Sequence, residues 1–230
     1  MRQFVAAFTT LFTIVAASQA SAQVIYHNGG VDPSGYIGNP DLNQSIIFEG
    51  FVLTGTERIG SINFWAVQWY NASDNFAGSV AWSIYAANGS NPGALLFSGI
   101  ATQGDDLART VAGTLPTWQL DYWLHTIDVD ITLDAGSYLV GIHNGPLDNS
   151  TASGYYWLTA PANGTSPGSN RLIANNAIYS NHYEYAFYLG GGEWDAETGI
   201  PTETVPEPAT MTLLATGLAG LAAAKRRRNV

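Results

Sequence analysis

The first candidates for chemistry are two carboxylates, Asp128 and Asp130, in the segment YWLHTIDVDITL. Their spacing of two residues places both on one face of a strand, about 7 Å apart. That separation suits the carboxyl groups of an inverting glycosidase, although such a pair normally converges from different strands in a cleft. Here the two carboxylates would lie side by side and face water. We therefore expect them to contribute solubility, and a divergent glycoside hydrolase is the least favoured of three functions.

Histidine offers a second set of candidates, because an imidazole can act as a general base or a metal ligand. Only His125 and His143 fall on neighbouring predicted strands, which we expect to pair as a hairpin. Ordinary packing competes with a metal or base role for this pair. The sequence contains no cysteine and no H-E-x-x-H motif. We therefore assign no catalytic residue and predict that the protein is not an enzyme.

Acidic loops are a third candidate, for binding a cation. Asp32, Asp41, Asp74 and the pair Asp105–Asp106 lie in segments rich in turn-forming residues and carry the hard oxygen ligands that Ca²⁺ prefers. No EF-hand spacing is present. The sequence therefore predicts no cofactor beyond a structural Ca²⁺ that these loops could hold, and it names no set of metal ligands.

Aromatic side chains give the main argument for ligand binding. Adjacent residues of a strand point to opposite faces, so the triplet Tyr155, Tyr156 and Trp157 should present at least one ring to the surface. An exposed ring flanked by Asn and Asp could stack on the apolar face of a sugar. The alternative is that the outer rings pack under loops or stabilise the sheet through cross-strand pairs.

Alternating hydrophobicity indicates that the elements around these residues are strands. Between residues 122 and 133, every second side chain from Trp123 to Leu133 is apolar or histidine, and the intervening ones are mostly Asp and Thr. Turn signals such as Asn88-Gly89 and Gly145-Pro146 separate the segments. We predict eight strands, over residues 45–53, 59–69, 79–86, 95–101, 122–133, 136–143, 155–158 and 183–189.

This pattern predicts an all-β fold with a single β-sandwich or jelly-roll-like domain. Because cysteine is absent, an apolar core and not disulfides must hold it. The segments WSIYAANGSNPGALLFSG, IDVDITLDAGSYLVGIHNG, GYYWLTA and YAFYLGG resemble a class of bacterial exported β-sandwich domains that are often attached to interchangeable C-terminal anchors. The resemblance implies a fold and carries no catalytic motif.

The charge of this central part excludes one class of partner. Residues 23–208 hold three basic residues and all eighteen acidic ones, a net charge of −15. Nucleic-acid binding depends on Lys and Arg that neutralise phosphates. We therefore predict no nucleic-acid partner, whereas cations and neutral sugars are compatible with this surface.

The N-terminal segment has the three parts of a secretory signal peptide. Arg2 supplies the positive charge, residues 4–17 form an apolar run, and Ala20-Ser21-Ala22 provides the small residues that a signal peptidase requires. We predict cleavage after Ala22, with Ala20 and Ala22 as the recognised residues. The chain is therefore expected to be exported.

The C-terminal segment, VPEPATMTLLATGLAGLAAAKRRRNV, combines a proline-bracketed glutamate, an apolar run and a basic cluster. Residues 209–224 carry no charge and would give about 24 Å of helix, slightly short of a bilayer core of about 30 Å. Lys225, Arg226, Arg227 and Arg228 would stop transfer and stay on the cytoplasmic side. The segment is expected to hold the chain transiently in the inner membrane, with the main domain outside the cytoplasm.

The order of Pro206-Glu207-Pro208, an apolar helix and a basic end closely resembles the PEP-CTERM sorting signal of Gram-negative bacteria. The resemblance implies recognition by exosortase, a membrane-embedded cysteine transpeptidase that cleaves near the Pro206, Glu207 and Pro208 triplet and releases or re-anchors the protein. The two prolines fix φ and disfavour helix at the membrane boundary, which leaves an extended segment within reach of a protease.

Three functions follow, in order of preference. The first is a non-catalytic surface or matrix protein sorted to an exopolysaccharide-rich envelope or biofilm. The second is a carbohydrate-binding module for that matrix, and the third is the hydrolase. The predicted organisation is a signal peptide over residues 1–22, a β-sandwich domain over 23–192, a linker over 193–205 and a sorting signal over 206–230, with its apolar helix at 209–224 and basic tail at 225–228.

Overall fold

The computed structural model describes residues 23–32, 34, 41–69, 75–147, 154–161, 169–172, 176–180 and 183–191. This part of the chain contains strands and no helix, which confirms the all-β prediction. The predicted signal peptide, linker and sorting helix lie outside the described residues. In chain order the strands are β1 (Gln23–His27), β2 (Ser45–Leu53), β3 (Glu57–Gln68), β4 (Ser79–Asn88), β5 (Asn91–Thr102), β6 (Leu107–Leu115), β7 (Leu120–Leu133), β8 (Gly136–Asn144), β9 (Tyr155–Trp157), β10 (Ser169–Leu172), β11 (Ile178–Ser180) and β12 (Phe187–Gly191).

The strands form two six-stranded sheets in which the neighbouring strands are antiparallel. The first sheet has the order β1-β12-β3-β7-β6, and β9 also pairs with β3. The second has the order β11-β10-β2-β8-β4-β5. Residues 61–64 of β3 pair with β12 and residues 66–68 pair with β9, so two short strands share one side of β3.

The sheets pack face to face around one apolar core, as predicted for a sandwich. The first sheet contributes Ile62 and Phe64 from β3 and Ile127 from β7, and the second contributes Ile47 from β2 and Val140 from β8. Alternation along each strand places these side chains on the inner faces. Aromatic residues of β9 and β12 fill the same core, which explains why so small a domain carries so many rings.

The predicted β7–β8 hairpin is wrong, because the two strands lie in different sheets. β7 pairs with β3 and β6, whereas β8 pairs with β2 and β4. Only Asp134 and Ala135 separate the two strands, and the hydroxyl of Tyr138 donates to the carbonyl oxygen of Asp134 at 2.9 Å. The connection therefore crosses from one sheet to the other and does not close a ladder.

Four strands were not predicted, and one predicted strand is shorter than expected. β1, β6, β10 and β11 are all short or lie at the edges of the sheets. The segment predicted over residues 183–189 becomes a strand only at Phe187, after Tyr185 makes an isolated bridge with Thr159.

Candidate functional site

The predicted sugar-binding triplet is turned mainly into the core. Tyr155 and Trp157 have no exposed surface, and Tyr156 is half-buried on the opposite face of the sheet. The indole Nε1 of Trp157 donates to the carbonyl oxygen of Ala186 at 2.8 Å. The rings alternate between the two faces of the sheet, as predicted. Two of the three, those of Tyr155 and Trp157, lie on the inner face. Tyr155 and Trp157 therefore cannot present a ring to a ligand at the surface.

His125 lies beside Tyr155 in the core between the sheets. Its Nε2 atom is 2.6 Å from the Tyr155 hydroxyl, and its ring stacks on Phe64 with centroids 4.7 Å apart. The other ring nitrogen, Nδ1, makes no hydrogen bond with the described residues. Both side chains are completely buried. The geometry is that of a packed histidine without access for a substrate.

The guanidinium of Arg109 lies against the same aromatic cluster. It lies 4.2 Å from the ring centroid of Trp123 and 4.7 Å from that of Phe76, both within the range of a cation–π interaction. Burial, and secondarily the charge of Arg109, lowers the pKa of His125 to about 3. The imidazole is therefore neutral at physiological pH and stabilises the core.

His143 does not join His125 in one site. Val140 and Ile142 of β8 point into the core, so His143 lies on the outer face of the second sheet. It is fully buried there, with Nδ1 2.9 Å from the carbonyl oxygen of Gly145. Burial also lowers the pKa of His143. His125 thus lies between the sheets and His143 lies outside the second sheet, so the two side chains cannot share a metal or act on the same substrate.

Asp128 and Asp130 are exposed on β7, as predicted. Nε of Arg58 donates to a carboxylate oxygen of Asp130 at 2.7 Å, and both side chains are about 70% exposed, at 71% and 70%. This hydrogen bond lowers the pKa of Asp130. Burial, with the nearby charge of Asp106, raises the pKa of Asp128. Because both carboxylates lie on an open strand face, they do not form the enclosed acid–base pair of a glycosidase.

The acidic loops considered for Ca²⁺ mostly cap backbone amides. Asp41 is buried and accepts hydrogen bonds from the backbone N–H groups of Asn43 and Gly154 at 2.9 Å and 2.5 Å. Asp106 accepts from Thr102 N–H at 2.7 Å, and Asp32 accepts from Ser34 N–H at 2.8 Å. Within the described residues, no three His, Asp or Glu side chains converge on a point that could hold a metal ion. Asp74 lies outside the described residues.

Glu49 is a buried carboxylate that sequence reasoning did not select. It occupies an inner-face position of β2, is fully buried, and accepts hydrogen bonds from the backbone N–H groups of Gly50 and Tyr185, each at 2.8 Å. Burial raises the pKa of Glu49 well above its ordinary value; the two backbone hydrogen bonds act in the opposite direction and nearby Glu184 acts in the same direction. One acidic residue inside the apolar run SIIFEGFVL was the signal for this group.

Side chains at the end of β1 bond to the segment whose Tyr185 N–H donates to Glu49. The side-chain amide of Asn28 donates to the carbonyl oxygen of Tyr185 at 2.9 Å and to Glu184 at 3.4 Å. The hydroxyl of Tyr26 donates to Asn28 Oδ1 at 3.0 Å. These bonds tie β1 and the segment before β12 to β2. With Glu49 completely buried, the cluster holds the sandwich together and offers no surface for a reaction.

An exposed tryptophan pair lies at one end of the first sheet. Trp118 is 48% exposed and contacts half-buried Trp69 edge to face, with ring centroids 5.0 Å apart. Trp118 belongs to the loop between β6 and β7, where Gln119 adopts a left-handed φ of 54° and donates its N–H to the Leu115 carbonyl oxygen at 2.8 Å. That tight return of the chain directs Trp118 outward. No sequence pattern placed these two indoles together.

The sorting residues, Pro206 to Pro208 and Lys225 to Arg228, lie outside the described residues, as do Ala20 and Ala22. The family model of the PEP-CTERM protein-sorting motif matches residues 204–228. This match confirms the predicted sorting signal. It marks the chain as an exported protein that exosortase processes and whose C-terminal segment associates transiently with the membrane.

A search of curated proteins found no match to the chain. Among the described residues, no helix has the length and apolar character needed to cross a membrane. The predicted membrane helix at residues 209–224 lies in the matched sorting motif and outside that part of the chain.

Proposed function

Because residues 204–228 carry a PEP-CTERM sorting motif, we propose that the protein is a non-catalytic component of the cell surface or extracellular matrix. Exosortase would release or re-anchor the β-sandwich domain in an exopolysaccharide-rich envelope or biofilm of a Gram-negative bacterium. The sorting motif carries this proposal, since it is a specific signal whose purpose is delivery outside the inner membrane.

The environment of the buried ionisable groups supports a structural role. Asp41 and Glu49 direct their carboxylate oxygens to backbone N–H groups, and His125 is enclosed by aromatic rings. A general acid or base must reach the substrate within hydrogen-bonding distance. Because Asp41, Glu49 and His125 are buried, they cannot reach a substrate, and any ligand would have to bind at the surface of the domain.

Fractionation of the producing cells tests the matrix assignment. The processed protein should be recovered with the exopolysaccharide fraction and leave it when the polysaccharide is digested enzymatically. Recovery only in the inner membrane would contradict the proposal. A reducing-sugar assay on the same exopolysaccharide tests the hydrolase alternative; the purified protein should release no sugar, and release that stops in the Asp128→Asn, Asp130→Asn double variant would establish hydrolysis.

Carbohydrate binding is the second candidate, and the Trp69–Trp118 pair is the observation that favours it. An exposed indole supported by a second ring offers a flat apolar surface for a sugar. The net charge of −15 over residues 23–208 favours a neutral polysaccharide over an acidic one. We therefore propose the loop tip of the first sheet as the aromatic platform, in place of the triplet beginning with Tyr155.

Affinity electrophoresis in gels that contain a neutral polysaccharide tests this second function. Trp118→Ala should abolish the retardation of the protein without lowering its melting temperature, because the ring lies at an exposed loop tip. Tyr179→Ala is the matched control, since it removes an exposed ring from β11 in the other sheet. Equal retardation of wild type and Trp118→Ala would remove the pair as a sugar platform.

A further inference from the structure

The edge strand β5 has a sequence suited to pairing with another strand. Among the described residues β5 pairs only with β4, so its other side presents backbone N–H and C=O groups without a strand partner there. Its sequence, NPGALLFSGIAT, includes no charged residue. Pro92 and the irregular pairs lie at the hairpin end, whereas residues 97–102 pair regularly with residues 79–84 of β4. Residues 97–101 of this part are an open template for an added strand, whereas the N–H of Thr102 already donates to Asp106.

The other three strands at the ends of the two sheet orders, β1, β6 and β11, carry protections that the regular part of β5 lacks. β1 and β11 are short, with five and three residues. β6 carries the inward-pointing Arg109 near its start and an irregularity between Val111 and Gly113. Short length, charge and bulges are the usual means by which proteins prevent edge-to-edge association. Only the β5 edge combines length, regular pairing and neutrality among these four.

Apolar side chains continue from this edge onto the outer face of the second sheet. Leu95 and Ile100 of β5 are 53% and 55% exposed. They border a groove of about 270 Å³ that is also lined by Ile46, Tyr85 and Leu147. An exposed apolar groove beside an open edge gives an incoming strand both backbone bonds and side-chain contacts.

The charge distribution indicates which partner can approach this edge. Residues 75–104 and 135–147 contain no Asp, Glu, Lys or Arg, although residues 23–208 have a net charge of −15. A second copy of this acidic chain would be repelled by most of the domain. It can come close through this neutral face, where like charges do not oppose each other. A basic partner would instead gain most from the acidic surfaces.

We propose that two copies of the chain associate through antiparallel pairing of their β5 strands, so that their second sheets join into one continuous sheet. A twofold axis across the regular part makes the interface self-complementary, because each copy supplies the same strand. Leu95 and Ile100 of each copy then lose exposed surface beside the shared edge. The inference does not depend on the proposed matrix function.

Sedimentation velocity of the processed protein over a range of concentrations tests the proposal. Wild type should form a reversible dimer, and Ile100→Lys should weaken it by at least about tenfold, since two added ammonium groups meet near the twofold axis. Val111→Lys is the matched control: Val111 is 66% exposed on β6, the edge of the other sheet, and its replacement should leave dimerisation unchanged. A wild-type monomer at about 100 μM, or equal weakening by both variants, would overturn the proposal.

Crosslinking locates the interface independently. The chain has no cysteine, so one introduced thiol reports on its own position. Ser98→Cys on β5 should give a covalent dimer with a bismaleimide of about 10 Å reach, which spans neighbouring registers because residues two apart in a strand are about 7 Å apart. Val52→Cys is exposed on the same sheet but in β2, two strands from β4, and should stay uncrosslinked. Equal crosslinking of both variants would contradict β5 pairing.

Discussion

The hydroxyl of Tyr155 and Nε2 of His125 are 2.6 Å apart in the fully buried core. Tyr155 comes from β9 and His125 from β7, and both strands pair with β3. The contact therefore bridges two strands that do not pair with each other. It satisfies two polar groups whose burial without partners would be unfavourable. The imidazole of His125 and the hydroxyl of Tyr155 could both act in catalysis, but here they stabilise the core of the sandwich.

Tyr155→Phe should destabilise the protein by about 1–3 kcal/mol, because it leaves Nε2 of His125 buried without a partner. Urea unfolding followed by tryptophan fluorescence measures the change in unfolding free energy. Tyr179→Phe removes a hydroxyl from an exposed ring and should change stability little. A Tyr155→Phe protein as stable as wild type would show that the hydrogen bond contributes no net stability.

The contribution of His125 to stability should fall as the pH is lowered from 6.5 toward 3. The unfolded chain binds a proton on this imidazole below about pH 6.5, whereas the folded chain resists it until about pH 3. In that window each pH unit should cost about 1.4 kcal/mol of unfolding free energy. Urea titrations of wild type and His125→Gln at pH 7, 6, 5 and 4 should show a difference that shrinks with acidification. Parallel curves for the two proteins would contradict a buried neutral imidazole.

Glu49 should give the opposite dependence. Its carboxyl titrates near 4.5 in the unfolded chain and at a much higher pH in the folded one, so above 4.5 the unfolded chain releases a proton that the folded chain retains. The contribution of Glu49 to stability is therefore present below pH 4.5 and lost as the pH rises through the folded-state pKa. Glu49→Gln should abolish this loss, which the same urea titrations between pH 4.5 and 8 would measure. If the unfolding free energy of Glu49→Gln changes with pH as steeply as that of wild type, groups other than Glu49 cause the dependence.

Gly141→Ala should destabilise the second sheet by about 1–3 kcal/mol through overpacking. A Cβ atom at this position would lie 2.5 Å from the Ser83 hydroxyl and 2.7 Å from the Phe48 ring. Gly30→Ala is the control, since a Cβ there meets no atom within 4 Å. Thermal unfolding should show a lower midpoint for Gly141→Ala alone. Similar midpoints for all three proteins would mean that Phe48 and Ser83 move aside without cost.

Sequence patterns predicted the central strands well, through alternation between core and solvent in β7 and through a mostly apolar run in β2. β2 matches its prediction at both ends, and β7 buries Ile127 and Ile131 while exposing Asp128 and Asp130. β6 was missed because it is an edge strand whose middle is exposed, so residues such as Val111 and Thr110 give no periodic signal.

The candidate sites were harder to predict, because alternation does not say which face of a strand is covered. The triplet beginning with Tyr155 has the expected alternation, yet its partner β3 is buried on both faces along much of its length, so the rings have little outlet to solvent. The burial of Glu49 was equally hard to predict. Its carboxylate accepts a hydrogen bond from the backbone N–H of Tyr185, which is distant in sequence and is brought close only by the fold. The pairing of Trp69 with Trp118 likewise depends on how a loop after β6 meets the end of β3.

The PEP motif makes a prediction about processing that is independent of the sandwich. Replacing Pro206, Glu207 and Pro208 by alanine should leave export and membrane insertion intact but stop cleavage, because the extended segment that the prolines enforce is lost. The uncleaved chain should accumulate in the membrane fraction. Wild type in a strain without exosortase should behave in the same way and is the control.

Mass spectrometry of the C-terminus of the wild-type protein, isolated from its own host, tests the central claim most directly. Exosortase processing predicts a mature chain that ends near Pro206, Glu207 and Pro208 and lacks the apolar and basic residues up to Arg228. The triple-alanine variant should keep those residues. A wild-type protein that reaches its destination with the sequence through Val230 intact would contradict the account.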